Sequence, residues 1–193
     1  MGTRGAYGFR YMQEDKISYN NFDSYPEALG LEVLNFVKNT PLEEMKEIAE
    51  RLIPVDEREI PTDEEQDELL SQGIIDEKGY IDWYWALREV QGNMAIFKKG
   101  LRYILDSKNF LRDSLFCEYA YVINLDEEIV EFYVGFQEKP QNNRYLVSKP
   151  DDQGYYNCRL ALKLPIEIIK DKSFIPEEQA EALDFNLRGA FDV

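Results

Sequence analysis

The segment LFCEYAYVINLDEEIVEFYVGF, residues 115–136, limits the fold more than any other stretch of the chain. Its apolar residues recur at every second position, the period of a strand with one buried face. With the turn at Asp126–Glu127, Ile123 falls opposite Val130, Tyr121 opposite Phe132, Tyr119 opposite Val134 and Cys117 opposite Phe136. All four pairs are apolar and share one face. A slip of one residue would turn them all to solvent, so the register is well specified.

Two other regions carry strand patterns. Residues 3–12 (TRGAYGFRYM) and 16–22 (KISYNNF) flank the polar turn QEDK, which sets Met12 opposite Ile17 and Arg10 opposite Tyr19. That turn lacks the glycine a tight hairpin usually wants. Residues 155–164 (YYNCRLALKL) place Tyr156, Cys158, Leu160, Leu162 and Leu164 on one inward side.

Between these regions the period changes to that of helices. Ser24 with Glu27 reads as a capping box and Pro26 suits a first turn. Leu29, Val33, Phe36 and Val37 form one stripe, and Gly30 within it predicts close packing against another backbone. Thr40, Pro41 and Glu43 open a helix to about Leu52, with Leu42, Met45, Ile48, Ala49 and Leu52 buried. Thr62 and Glu65 open a third, stopped near Gly73. Another starts near Asp82, with Trp83, Ala86, Leu87 and Val90 inward. Met94, Phe97, Leu101 and Ile104 give a further helical stripe, and Pro176 begins a terminal helix.

The order is strand pair, helices, then strands, with no βαβ alternation. This predicts an α+β fold over residues 1–193 as a single domain. The expected sheet is antiparallel and joins the N-terminal hairpin to the C-terminal strands. The middle helices pack on one face, with an acidic helical insertion at about 40–92.

Composition narrows the chemistry. The chain has no histidine, which excludes Ser–His and Cys–His nucleophile pairs and imidazole metal ligands. Cys117 and Cys158 read as buried free thiols. No metal and no cofactor are expected. No apolar stretch approaches the length of a spanning helix, and MGTRGAYGFR lacks the apolar core of a signal peptide, so a cytoplasmic protein with no membrane partner is expected. The net charge of −16 disfavours direct nucleic-acid binding and favours a basic protein partner.

Two sets of residues stand out as candidate sites. The first is the strand-to-helix corner, where Asn20, Asn21, Asp23 and Tyr25 crowd together with Arg4 on the partner strand. Arg4 could hold an anion there and Asp23 could act as a base, while Asn and Asp also favour corners for purely structural reasons. The second is the acidic run at residues 43–68, with 12 acids against 3 bases, a net of −9. Its exposed members are expected to include Glu57, Glu59, Asp63, Glu64, Glu65, Asp67 and Glu68. A solvated helical face and a phosphate-backbone mimic both fit such a run. The aromatic triplet Trp83, Tyr84 and Trp85 places Trp83 in the core and leaves Tyr84 or Trp85 to face a partner.

The pattern TRG-x-x-GF followed by YN-x-FDSYP-x-x-LG, together with SLFCEYAYVINLDEEIVEFYVGF, resembles a group of uncharacterised proteins from phages, prophages and gut bacteria. The resemblance implies a mobile-element origin and brings no established activity. It joins with the acidic run to suggest an accessory protein that binds and inhibits a host nucleic-acid-handling or defence protein, a nuclease for example, in the manner of anti-CRISPR or anti-restriction proteins. The first strand also resembles that of N-terminal-nucleophile hydrolases, which suggests the alternative of a small enzyme or ligand-binding domain using the Arg4 and Asp23 corner. Here Gly2 stands at the nucleophile position and Thr3 one place later. Elemental analysis of the purified protein is expected to find no stoichiometric zinc, because two thiols without histidine do not make an ordinary zinc site.

Overall fold

The computed structural model describes residues 2–79 and 81–188. β1 (Gly5–Tyr11) and β2 (Glu14–Asn20) form the N-terminal hairpin. A π-helical turn (Pro26–Gly30) leads into α1 (Leu31–Asn39), and α2 (Leu42–Arg51) follows. β3 (Ile53–Val55), α3 (Asp63–Ser71), α4 (Trp83–Leu87), α5 (Ala95–Lys98) and β4 (Tyr103–Leu105) complete the middle of the chain. β5 (Tyr119–Asn124), β6 (Ile129–Val134) and β7 (Arg159–Pro165) precede α6 (Ile166–Lys170) and α7 (Pro176–Arg188).

The fold is α+β. Its five-stranded sheet has the order β2-β1-β5-β6-β7, which joins the first hairpin to the C-terminal strands as the sequence predicts. The junction of the two halves, β1 with β5, is parallel, so the sheet is mixed rather than wholly antiparallel. The helical stretch leaves the sheet after Asn20 and re-enters at Tyr119, both opposite Gly5, so β5 starts at the end where β2 stops and runs along β1. β3 and β4 pair in parallel as a separate two-stranded sheet.

The β5–β6 register is the expected one, with Tyr119 opposite Val134, Tyr121 opposite Phe132 and Ile123 opposite Val130. The fourth pair, Cys117 with Phe136, does not form. The Phe136 amide turns away to the Ser114 carbonyl at 2.7 Å, and Phe136 adopts a φ of 55°.

The first hairpin also departs from expectation. Its partners are Tyr11 with Glu14 and Gly8 with Ile17, around a two-residue turn of Met12 and Gln13. Both turn residues have positive φ, 52° and 63°, as a type I′ turn requires. The carboxylate of Asp126, in the β5–β6 turn, accepts the Met12 amide at 2.8 Å and the Gln13 amide at 2.9 Å. A distant carboxylate therefore holds a conformation that glycine would otherwise supply.

The helices cover one face of the sheet, where Tyr7, Phe9, Tyr121, Ile123, Phe132 and Val134 meet Val33, Phe36, Val37, Met45, Ile48 and Phe97 in a continuous core. The Phe9 ring meets Phe36 and Phe97 edge-on, each at 5.9 Å between centroids. Residues of the acidic region, among them Leu69, Trp83 and Leu87, belong to this same core. On the opposite face Ala6, Ile17, Ala120, Val122 and Tyr133 pack against Leu111 and Tyr145.

β7 serves both faces. An irregularity sets Phe132 opposite Leu162 but Tyr133 opposite Leu160, leaving Ala161 as an extra residue. Cys158 and Leu160 consequently join the second face, while Leu162 and Leu164 join the helical one, so the single inward side expected for these residues is corrected. The stripe Met94–Phe97–Leu101–Ile104 is buried but only partly helical. Gly100, at φ 110°, ends the helical part, and Ile104 lies in β4. Gly30 packs against the Tyr121 ring rather than a backbone, since a Cβ there would lie 3.0 Å from Tyr121 Cε1.

Asp126→Ala is expected to lower stability by about 1.5–3 kcal/mol, the usual worth of hydrogen bonds to a charged group, measured by denaturant unfolding. Adding Gln13→Gly to that variant should restore about 0.4–1 kcal/mol, because glycine accepts the positive φ without strain.

Candidate functional site

The corner is built around Ser24, which is fully buried. Its amide donates to the Thr3 carbonyl at 3.1 Å, its hydroxyl accepts from Asn20 Nδ2 at 2.8 Å, and its carbonyl accepts from the Tyr121 hydroxyl at 2.8 Å. Ser24 thus ties β1, β2 and β5 together and does not cap the helix. The helical turn begins at Pro26 after Tyr25, with no side-chain cap. A glycine is required beside it, because a Cβ on Gly5 would lie 2.3 Å from the Tyr119 carbonyl oxygen.

The predicted corner residues fall into two clefts. Asn20 and Asp23, with Phe22, Leu29, Glu32 and Gln91, line one of about 510 Å³. Arg4 lines another, of about 430 Å³, with Phe116, Glu118 and Phe136. Its guanidinium lies 4.5 Å from the Phe116 ring centroid, and its backbone amide donates to Glu118 Oε1 at 3.1 Å. Arg4 and Asp23 therefore do not share a pocket. Asn21 accepts from the Tyr19 hydroxyl at 3.1 Å, and Tyr25 is half-buried against the core. Asp23 is exposed, with a φ of 53°. A larger cleft, about 720 Å³, lies between α6 and α7 and contains none of the predicted residues.

The acidic residues divide by what they touch. Glu65 completes a capping box with Thr62 at the start of α3, as its spacing predicts. Glu68 grips Arg102, with Oε2 2.6 Å from Nη2, and accepts the Tyr103 hydroxyl at 2.9 Å. The Arg102 hydrogen bond holds the Glu68 carboxyl below its ordinary range. Asp67 pairs with Lys78 at 2.5 Å. Glu57, Glu59, Asp63 and Glu64 are exposed. Among the described residues no ion pair neutralises Glu59, Asp63 or Glu64. No basic residue follows them in the last turn of α3.

Sequence reading missed a polar cluster on the second sheet face. Arg144, from the segment between β6 and β7, reaches Glu131 at 2.5 Å and Asp15 at 3.3 Å. Glu131 is buried and also accepts from Asn124 at 3.0 Å and from the Tyr133 hydroxyl at 2.9 Å. Tyr145 donates to Asp15 at 3.0 Å, and Arg10 pairs with the same carboxylate at 3.1 Å. Burial alone would raise the Glu131 carboxyl, but hydrogen bonds from Arg144 and Asn124 outweigh it and hold the group low. Burial pushes the Tyr133 and Tyr145 phenols well up. Every charge here has a partner, so the cluster fastens the 137–158 segment to the sheet. The only sequence signal was a glutamate at an alternation position facing away from the helices.

Cys117 and Cys158 are buried and unbridged. The Cys158 thiol donates to the Cys117 carbonyl at 3.3 Å, and burial pushes the Cys117 thiol up. Among the described residues no group of three or more Cys, Asp or Glu is placed to hold a metal ion. No helix among them is long and apolar enough to cross a membrane. No protein-family model matches the chain, and neither a curated protein nor a solved structure matches it.

Glu131→Gln should destabilise the protein at neutral pH by about 3 kcal/mol, the cost of breaking a buried ion pair. Because the folded carboxyl titrates below its ordinary 4.5, this stabilisation is complete above that pH and is lost as pH falls through the folded value. The stability gap between wild type and variant should therefore close on acidification, as chemical denaturation across that range would show.

Proposed function

We propose that this chain is a non-catalytic, phage-type accessory protein. Its acidic face around α3 occupies the basic surface of a host nucleic-acid-handling or defence protein and so inhibits it. The observation that carries this reading is the set of exposed carboxylates on Glu57 and Glu59 of the 56–61 loop and Asp63 and Glu64 at the start of α3, three of them without an ion-pair partner among the described residues. Carboxylates fixed on a folded scaffold can present negative charge as a phosphate backbone does, and opposite charges steer the encounter. The likeness of its terminal segments to phage and prophage proteins supports the same reading.

A second reading rests on the cleft lined by Asn20, Asp23 and Glu32. Its volume, about 510 Å³, falls in the range of small-molecule pockets. It would make the chain a ligand-binding domain or small enzyme, with Asp23 as the acidic group and Arg4 outside the pocket.

Affinity capture from a bacterial host lysate distinguishes the two. The wild-type chain is expected to retain a basic nucleic-acid-handling protein at low salt and release it at high salt. The Glu57→Lys, Glu64→Lys, Asp67→Lys variant should retain none, while its circular dichroism stays unchanged. Exposed substitutions usually shift stability by about 0.5 kcal/mol or less each. Equal retention by the folded variant would overturn the inhibitor reading.

A further inference from the structure

The acidic face also carries apolar residues. The 56–61 loop runs against the start of α4, where the Trp83 amide donates to the Glu59 carbonyl at 2.9 Å and the Tyr84 amide to the Glu57 carbonyl at 3.0 Å. These two bonds bring the loop that bears Ile60 alongside the segment that bears Ile81 and Trp85. None of the three is buried: Ile60 is 67% exposed, Ile81 74% and Trp85 49%. Trp83, two residues earlier, is 2% exposed and lies against Tyr103 in the core. The helical phase that buries one tryptophan turns the other outward.

Trp85 is also held in place. The Arg88 guanidinium lies 4.7 Å from its ring, and the Tyr84 ring meets it edge-on at 5.7 Å. An aromatic ordered before binding loses little freedom on binding. The loop beside it carries the exposed carboxylates Glu57 and Glu59, and α3 opens a few residues later with Asp63 and Glu64, also exposed. Apolar exposure rimmed by charge is the usual form of a protein-docking surface, in which a central tryptophan supplies affinity and the rim supplies steering.

We infer that Trp85, Ile60 and Ile81 are the apolar anchor of this docking surface, and that its occupant is a protein with an apolar patch ringed by lysine and arginine. The sign of the partner's charge rests on the proposed acidic-face reading. The anchor adds a short-range contribution that salt does not screen. A second copy of the chain is a poor occupant, because two chains of net charge −16 repel.

Two synthetic peptides with the same number of lysines test this: an amphipathic leucine–lysine helix and a serine–lysine peptide. Each is titrated calorimetrically into the full chain. The leucine–lysine peptide should bind wild type roughly tenfold or more tighter than the serine–lysine one. It should also shield the exposed Trp85 from acrylamide quenching. Trp85→Ala should remove that advantage and leave serine–lysine binding unchanged. Ile81→Ser serves as a second variant and should reduce the advantage. Equal affinity of wild type for the two peptides, or an advantage that survives in both variants, overturns the anchor. A wild-type dimer in sedimentation that Trp85→Ala dissociates also overturns it, in favour of self-association. Glu57→Lys with Glu64→Lys should weaken both peptides together. If that variant binds both as wild type does, the acidic reading fails, and with it the basic partner, while the Trp85 comparison still reports on the apolar contact.

Discussion

The parallel pairing of β1 with β5 joins the two ends of the chain, and the remaining structure depends on it. Each end of this seam has its own lock. At one end Ser24 receives Asn20 and Tyr121, and Gly5 lets the backbones pass. At the other, Asp126 clasps the Met12–Gln13 turn of the first hairpin. Both locks bridge residues about a hundred positions apart. Hydrogen bonds between residues so distant in sequence fix register as well as adding stability. Once the seam is set, the intervening chain has one sheet face to cover, and its apolar helical stripes cover it.

The two sheet faces then take different roles. The helical face is apolar and aromatic, and its helices turn their charged sides outward, which concentrates carboxylates around α3 and the 56–61 loop. The opposite face has small residues on its central strands, with a polar cluster toward one end, and the Arg144–Glu131 pair fastens the 137–158 segment over it. The thiols are buried, and the charges of this cluster are paired with one another. The exposed surface includes the outer side of the helical layer, the clefts at the corner and the cleft between α6 and α7.

The sequence made the β5–β6 hairpin legible because its larger apolar residues alternate onto the helical face and admit a single register, although the other face is buried as well. It made α3 legible because Thr62 and Glu65 satisfy each other locally. It failed where a distant group decides the local outcome. The Met12–Gln13 turn looked too poor in glycine to be tight, and the carboxylate that stabilises it is 114 residues away from Met12. Ser24 has the spacing of a cap, yet tertiary partners claim its hydroxyl. Ile104 has helical spacing from Leu101, but the positive φ at Gly100 and the pairing with β3 make it a strand. Of the candidate site, the exposure of Glu57, Glu59, Asp63 and Glu64 was legible from the density of charge. Glu65 and Glu68, also expected outside, are half-buried and engaged by Thr62 and Arg102, and the sequence left Tyr84 and Trp85 both open as the outward aromatic. The separation of Arg4 from Asp23 was not legible, because it depends on where the 115–118 segment passes.

Carboxyl footprinting of the chain, alone and with the basic protein that the inhibitor proposal expects capture to retain, tests the central claim most directly. The account predicts that the partner shields Glu57, Glu59, Asp63 and Glu64 from modification and leaves Asp23 and Glu32 reactive. Shielding confined to Asp23 and Glu32, with the α3 face as reactive as in the free chain, would contradict it.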